Sequence, residues 1–154
     1  MPVNLFEKLN PLCLRLQHLT ISHIHGDWTK KYRESLDNFI VALIKSEPPL
    51  THLDFSSIEG HYDYNTDRYI DSGEKITDAL WNSNIANLVY LNLSNSNWWN
   101  KESIRTKLME VIAVQQNLEE LVLTSCLHQQ ESTEALFIQL VHTQVFQTIK
   151  KLNI

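Results

Sequence analysis

The chain has 154 residues, enough for one domain with a substantial core, and its 43% hydrophobic and 20% charged residues are typical of a folded globular protein. Thirteen Lys and Arg against 18 Asp and Glu give a formal net charge of −5, which lacks the basic footprint of a nucleic-acid binder. No apolar run reaches the roughly 18 residues that cross a bilayer, so neither nucleic acid nor membrane is an expected partner.

The start, MPVNLFEKLN, has no basic segment leading into an apolar stretch, so no secretory signal is expected. Only Cys13 and Cys126 occur, far apart, which argues against a disulfide framework and for a reducing, cytoplasmic setting. Three glycines argue against a sandwich of many tight turns. Residues 1–15 read as a short N-terminal stub whose Leu5, Phe6, Leu9 and Leu12 cover the first strand.

LQHLTISHI begins at Leu16, with apolar residues at its first, fourth and sixth places. A helix is predicted next, from Leu36, Phe39, Ile40 and Leu43 in RESLDNFIVALIK. LTHLDFSSI at Leu50 repeats the first spacing, and the long segment GHYDYNTDRYIDSGEK comes after it. There Asp63, Asn65, Asp67, Asp71 and Glu74 match places one, three, five, nine and twelve of a calcium loop, with Ile70 at place eight. Arg68 occupies the sixth place, where such a loop wants glycine, and a left-handed conformation costs a non-glycine residue roughly 1–2 kcal/mol. The segment is therefore expected to be an acidic surface insertion, with Asp71 and Glu74 starting a short helix that carries Ile76 and Leu80.

LVYLNLSNS starts at Leu88, after which Trp98 is expected in the core and Trp99 at the rim as an anchor. Ile104, Leu108, Val111 and Ile112 define the next helix, and LEELVLTSC starts at Leu118. Ser132 is a candidate cap for a helix bearing Leu136, Phe137, Leu140 and Val141. The sequence closes on IKKLNI, from Ile149.

Segments starting at 16, 50, 88, 118 and 149 thus share one pattern, 34, 38, 30 and 31 residues apart. Each unit reads as a short strand, a turn, a helix and a return loop. The pattern resembles the leucine-rich repeat family, L-x-x-L-x-L-x-x-N/C-x-L, over residues 16–154, and its length is most similar to the helix-bearing class typified by ribonuclease inhibitor. Ile24, Ile58, Ser96 and Cys126 stand at place nine, never asparagine, and the first two units are longer than usual. The resemblance implies an α/β fold, a right-handed leucine-rich-repeat solenoid in one domain over 1–154, with a parallel sheet on the concave face and helices on the convex face.

Strand side chains alternate, so places three, five and seven are expected to face away from the core. Place three holds His18, His52, Tyr90, Glu120 and Lys151, and place five holds Thr20, Asp54, Asn92, Val122 and Asn153. Place seven is Ser22, Ser56, Ser94 and Thr124, and place eight, at the rim, is His23, Ser57, Asn95 and Ser125. In the family this surface is the usual binding site, which makes His18, Thr20, His52, Asp54, Tyr90, Asn92, Glu120 and Trp99 the candidate partner-binding residues.

Chemistry has less to rest on. His18, His23 and His25 cluster in sequence, but no Cys-x-x-Cys or H-E-x-x-H accompanies them, so no metal is expected. His18, Ser22 and Asp54 share the letters of a triad without the surroundings of one, and no nucleotide-binding motif occurs, so neither enzyme activity nor a cofactor is expected. The expected function is a protein–protein interaction module. The alternative is the recognition or targeting part of a larger protein, a ubiquitin-ligase receptor or a bacterial effector acting in the host cytosol. The sequence stops within the fifth strand, which raises self-association through that edge or a longer parent as expectations.

Overall fold

A computed structural model describes residues 15–23, 30–58, 61–63, 68–70, 72–96, 101–124 and 137–154. The expected stub over 1–14, Ile24, His25, Asn65, Asp67, Asp71, Trp98, Trp99, Ser125, Cys126, Ser132 and Leu136 lie outside the described residues. In chain order the elements are β1 (His18–Thr20), α1 (Lys30–Lys45), β2 (His52–Asp54), β3 (His61–Asp63), β4 (Arg68–Ile70), α2 (Ser72–Trp81), β5 (Tyr90–Asn92), α3 (Glu102–Ala113), β6 (Glu120–Val122), a 3-10 turn (Gln144–Gln147) and β7 (Lys151–Asn153). Residues 137–141 are also helical.

The fold is α/β. Strands β1, β2, β5, β6 and β7 form a five-stranded sheet in that order, every pair parallel. The register is set by position within the leucine pattern. Leu19, Leu53, Leu91, Leu121 and Leu152 form one row, flanked by the row from His18 to Lys151 and the row from Thr20 to Asn153. Backbone bonds repeat with the same positions. The amide at place six donates to the neighbouring carbonyl at place five in Ile21→Asp54, Phe55→Asn92, Leu93→Val122 and Leu123→Asn153, at 2.7–2.9 Å. The amide at place eight donates to the neighbour's place seven in His23→Ser56, Ser57→Ser94 and Asn95→Thr124.

This register buries the leucines. In the three inner segments the residues of places one, four and six (Leu50, Leu53, Phe55; Leu88, Leu91, Leu93; Leu118, Leu121, Leu123) are all at most 2% exposed. Three-residue strands supply few hydrogen bonds each, so these nine side chains and the helices against them carry the stability. Leu16, Leu19 and Ile21 on β1's side and Ile149 and Leu152 on β7's side are only partly buried.

The helices pack on that same side of the sheet. Ile104, Leu108, Met109, Val111 and Ile112 of α3 are buried, as are Ile76 and Leu80 of α2. On α1 the buried stripe is rotated from the expected one. Arg33, Asp37, Ile40, Leu43 and Ile44 are buried, while Leu36 and Phe39 pack only partly. Arg33 and Asp37, one helical turn apart, pair at 3.7 Å, so a buried ion pair occupies positions that apolar periodicity passes over. Among the described residues of the last predicted stripe, Phe137 and Val141 are exposed and Leu140 is buried. The outer surfaces of α2 and α3 are tied together: Trp81 Nε1 donates to Glu110 Oε2 at 2.5 Å, and the Lys107 ammonium lies 5.5 Å from the Trp81 ring centroid. None of the helices among the described residues is long and apolar enough to cross a membrane.

A buried glutamine joins α3 to the segment that leads into β5. Gln115, 1% exposed, donates through Nε2 to the carbonyls of Ile85 and Val111, and its Oε1 accepts the Leu88 amide at 2.9 Å. The chain thereby satisfies three polar groups at the place where a loop backbone passes under the core.

The insertion after β2 forms an antiparallel hairpin, with His61 opposite Ile70, Tyr62 opposite Tyr69 and Asp63 opposite Arg68. Places one and six of the calcium-like spacing therefore face each other across a two-stranded ladder. Glu74 lies in the first turn of α2 and pairs with Lys101 at 3.6 Å.

Leu93→Ala and Leu121→Ala should each destabilise the fold by about 2–5 kcal/mol, the range for truncating a buried leucine. Urea denaturation measures this, and a loss under about 0.5 kcal/mol for either would contradict the register. Gln115→Leu should cost about 1–3 kcal/mol for each polar group left without a partner. Gln116→Leu, at its exposed neighbour, should stay within about 0.5 kcal/mol of the parent.

Candidate protein-binding face

The alternation of a strand sends places three and five to the face opposite the leucines. His18, Thr20 and Lys151 are exposed there, and His52, Asp54, Tyr90, Asn92, Glu120, Val122 and Asn153 are half-buried. Seven of the eight candidate residues thus share one face, in two adjacent rows. Trp99 lies outside the described residues.

The first row carries side-chain contacts in two groups, His18–His52–Tyr90 and Glu120–Lys151. The His18 and His52 rings stack with centroids 4.0 Å apart and planes within 8°. Tyr90 continues the stack, 6.0 Å from His52 with a 21° tilt. Beyond it, Lys151 Nζ donates to Glu120 Oε1 at 2.5 Å. Parallel strands in register sit about 4.8 Å apart, so planar side chains at equivalent positions can lie face to face. The row therefore runs from aromatic at β1 to charged at β7.

The second row is partly engaged in holding the backbone. Asp54 Oδ1 accepts the Ser56 amide at 2.9 Å, and Asn92 Oδ1 accepts the Ser94 amide at 3.0 Å and the Ser94 hydroxyl at 2.6 Å. Asn92 Nδ2 then donates across the strands to Asp54 Oδ2 at 3.1 Å. A left-handed residue follows at place eight after β1, β2 and β5, where His23, Ser57 and Asn95 have φ of 56°, 56° and 53°, and after β2 and β5 these side-chain turns lead into it. Place seven divides: Thr124 is exposed and Ser22 half-buried, as expected of a solvated face, whereas Ser56 and Ser94 are buried where Asp54 and Asn92 bond back to them. Ser57, expected at the rim, is buried too.

Two features lie beyond the expectations from sequence: the ring stack and the left-handed turns. A signal for the turns is present, since His, Ser and Asn stand at place eight and Asp or Asn three residues before it in two of the units. The ring stack depends on rotamers, which no spacing encodes.

The electrostatics are set by these contacts. Burial, and then the neighbouring His18, lower the His52 pKa below the usual histidine value. Burial and the Asp54 carboxylate raise that of Tyr90, with Glu120 adding to the rise against the hydrogen bond of Asn92 and the charge of Lys151, so the phenol stays protonated at neutral pH. Glu120 raises the Lys151 pKa through its hydrogen bond and its charge. Asp54, the acid of the triad-like letters, has both oxygens occupied by Ser56 and Asn92. Among the described residues, no three His, Cys, Asp or Glu side chains are placed to hold a metal ion together.

Asn92→Ala should cost about 1–3 kcal/mol through the loss of its hydrogen bonds, whereas Asn153→Ala in the last strand should cost under about 0.5 kcal/mol. Thermal and urea melts compare the two, and equal losses would show that the Asn92 turn contributes nothing particular.

No protein-family model, no curated protein and no solved structure matches this chain, so the reading of this face rests on its own geometry.

Proposed function

We propose that the chain is a leucine-rich-repeat solenoid of the long, helix-bearing class and that it binds another protein through its concave strand face. The observation that carries this reading is the row His18, His52, Tyr90, Glu120 and Lys151, one residue from each of five parallel strands, on the face opposite the buried leucines. Stacked units of this kind bury a continuous core between neighbours and leave one side chain per strand and row for recognition. The helices cover the other side of the sheet, so this face is where strand side chains meet solvent.

Tyr90 is the central anchor. It offers a large contact surface at low entropic cost, and aromatic residues dominate the energetics of protein interfaces. Its half-buried ring is stacked on His52, which limits the rotamers it has to give up on binding. Asp54 and Asn92 contribute as a fixed polar floor, since their side chains are held by Ser56, Ser94 and each other.

Affinity capture with the wild-type chain against Tyr90→Ala tests the proposal. A specific partner should lose affinity by about 30-fold or more with Tyr90→Ala, the scale of an interface hot spot. Trp81→Ala, on the helix side, should keep wild-type affinity. The reverse pattern would move the interface to the helices. Asp54→Arg is a poor probe, because it removes the acceptor of the Ser56 amide along with any contact.

A further inference from the structure

The stacked imidazoles lie in the face just assigned to recognition, and stacking at this distance constrains their protonation. Neutral imidazoles, or one neutral and one charged, can stack face to face. Two imidazolium rings 4.0 Å apart repel each other. The pair can therefore take up one proton and keep its geometry, and a second proton drives the rings apart.

The groups around the pair leave that repulsion in place. On its own strand His52 shares its face with the Asp54 carboxylate, which accepts bonds from the Ser56 amide and Asn92, and the His52 pKa is lowered in the presence of that charge. From β5 it faces Tyr90, whose phenol is neutral. The next charges along the row, Glu120 and Lys151, are paired with one another. From β1 it faces His18. Among the described residues these are the titratable and charged groups of the strands packed beside it.

His52 also has a local route for its proton. Its Nδ1 is 2.9 Å from Thr51 Oγ1, which is 3.2 Å from the Gln17 carbonyl oxygen that precedes β1. In the neutral ring with its hydrogen on Nε2, the Thr51 hydroxyl donates to Nδ1. In the imidazolium, Nδ1 donates to Thr51 Oγ1 and the hydroxyl hydrogen turns to Gln17. The bond is kept with its direction reversed, so protonation acts on the ring stack instead of breaking the strand pairing.

We infer that the His18–His52 stack is a proton-operated latch in the binding face, closed near neutral pH and opened by acidification so that the surface leading to Tyr90 changes shape. The inference builds on the proposed binding role by assigning that same face a regulator. The lowered pKa of His52, from burial and from His18, agrees with it. The linkage has a definite sign. A depressed folded-state pKa means that the unfolded chain binds the proton more readily, so this contribution to stability is complete above about pH 6.5 and is lost as the pH falls through the folded-state value.

The test is made on the free protein, which separates it from the partner question. Histidine ring signals are followed by NMR from pH 8 to 5 in the wild type, in His18→Gln and in His18→Phe. In the wild type, His52 should titrate below the ordinary histidine range, and the Tyr90 ring signals should move with the same steps. In both variants the His52 midpoint should rise, because the neighbouring charge is gone while phenylalanine keeps a ring to stack on. Ring-to-ring nuclear Overhauser contacts between His18 and His52 should be present at pH 8 and lost at pH 5. An unchanged His52 midpoint in the variants, or ring contacts that persist with both histidines charged, would overturn the latch and leave the binding role standing. With a partner in hand, acidification should weaken wild-type binding at least tenfold more than that of His18→Phe.

Discussion

The structure depends on parallel pairing in strict register. Each strand is three residues long and could not persist alone. It is held because its place-five carbonyl accepts the place-six amide of the neighbour before it, and because its place-two carbonyl accepts the first amides of the neighbour after it. That pairing puts leucine beside leucine along the sheet, so that each L-x-x-L-x-L segment is covered by the next. A slip of one residue would turn the whole apolar set to the solvated face. The burial of nine pattern positions and the ring ladder on the opposite face are two outcomes of one register.

Polar groups in the interior obey the same logic. Where the backbone leaves a strand, its own side chains satisfy it: Asp54 and Asn92 accept the amides two residues on, and Ser96 donates to the Leu93 carbonyl. Where a return loop passes beneath the core, Gln115 supplies both donor and acceptor. These contacts couple neighbouring segments. The Asn92–Asp54 bond links β5 to β2, and Gln115 links the end of α3 to the segment before β5, so local damage spreads along the sheet.

Much of this is legible in the sequence. A leucine spacing of three and then two fits neither a plain strand nor a helix, and the same spacing five times over identifies the strands, their inward residues and their mutual register. The α3 stripe from Ile104 to Ile112 is equally plain. Apolar periodicity finds Ile40 and Leu43 of α1 but passes over Arg33 and Asp37, charged residues in buried positions, and Leu36 and Phe39 pack only in part. At place seven, strand alternation holds for the exposed Thr124 but fails for Ser56 and Ser94, which are buried beside the side chains that bond their amides. On the open face the membership of the rows is readable, but the contacts within them are not. Whether His18 stacks on His52 depends on ring rotation, and whether Asp54 is free for a ligand depends on an amide two residues away.

The sheet also fixes the direction in which its open face can be read. Each strand contributes a place-three and a place-five side chain to that face, and after β1, β2 and β5 a left-handed residue then turns the chain away from it. Variety therefore runs across the strands: imidazole, imidazole, phenol, carboxylate and ammonium in one row, hydroxyl, carboxylate, amide, isopropyl and amide in the other. Four strand spacings of about 4.8 Å make a track about 19 Å long, the reach of about six residues of extended chain. A peptide laid along a strand would meet two side chains. The same peptide laid across all five would pass from an aromatic end to an ionic one, so the surface distinguishes the two ends of any chain that lies on it.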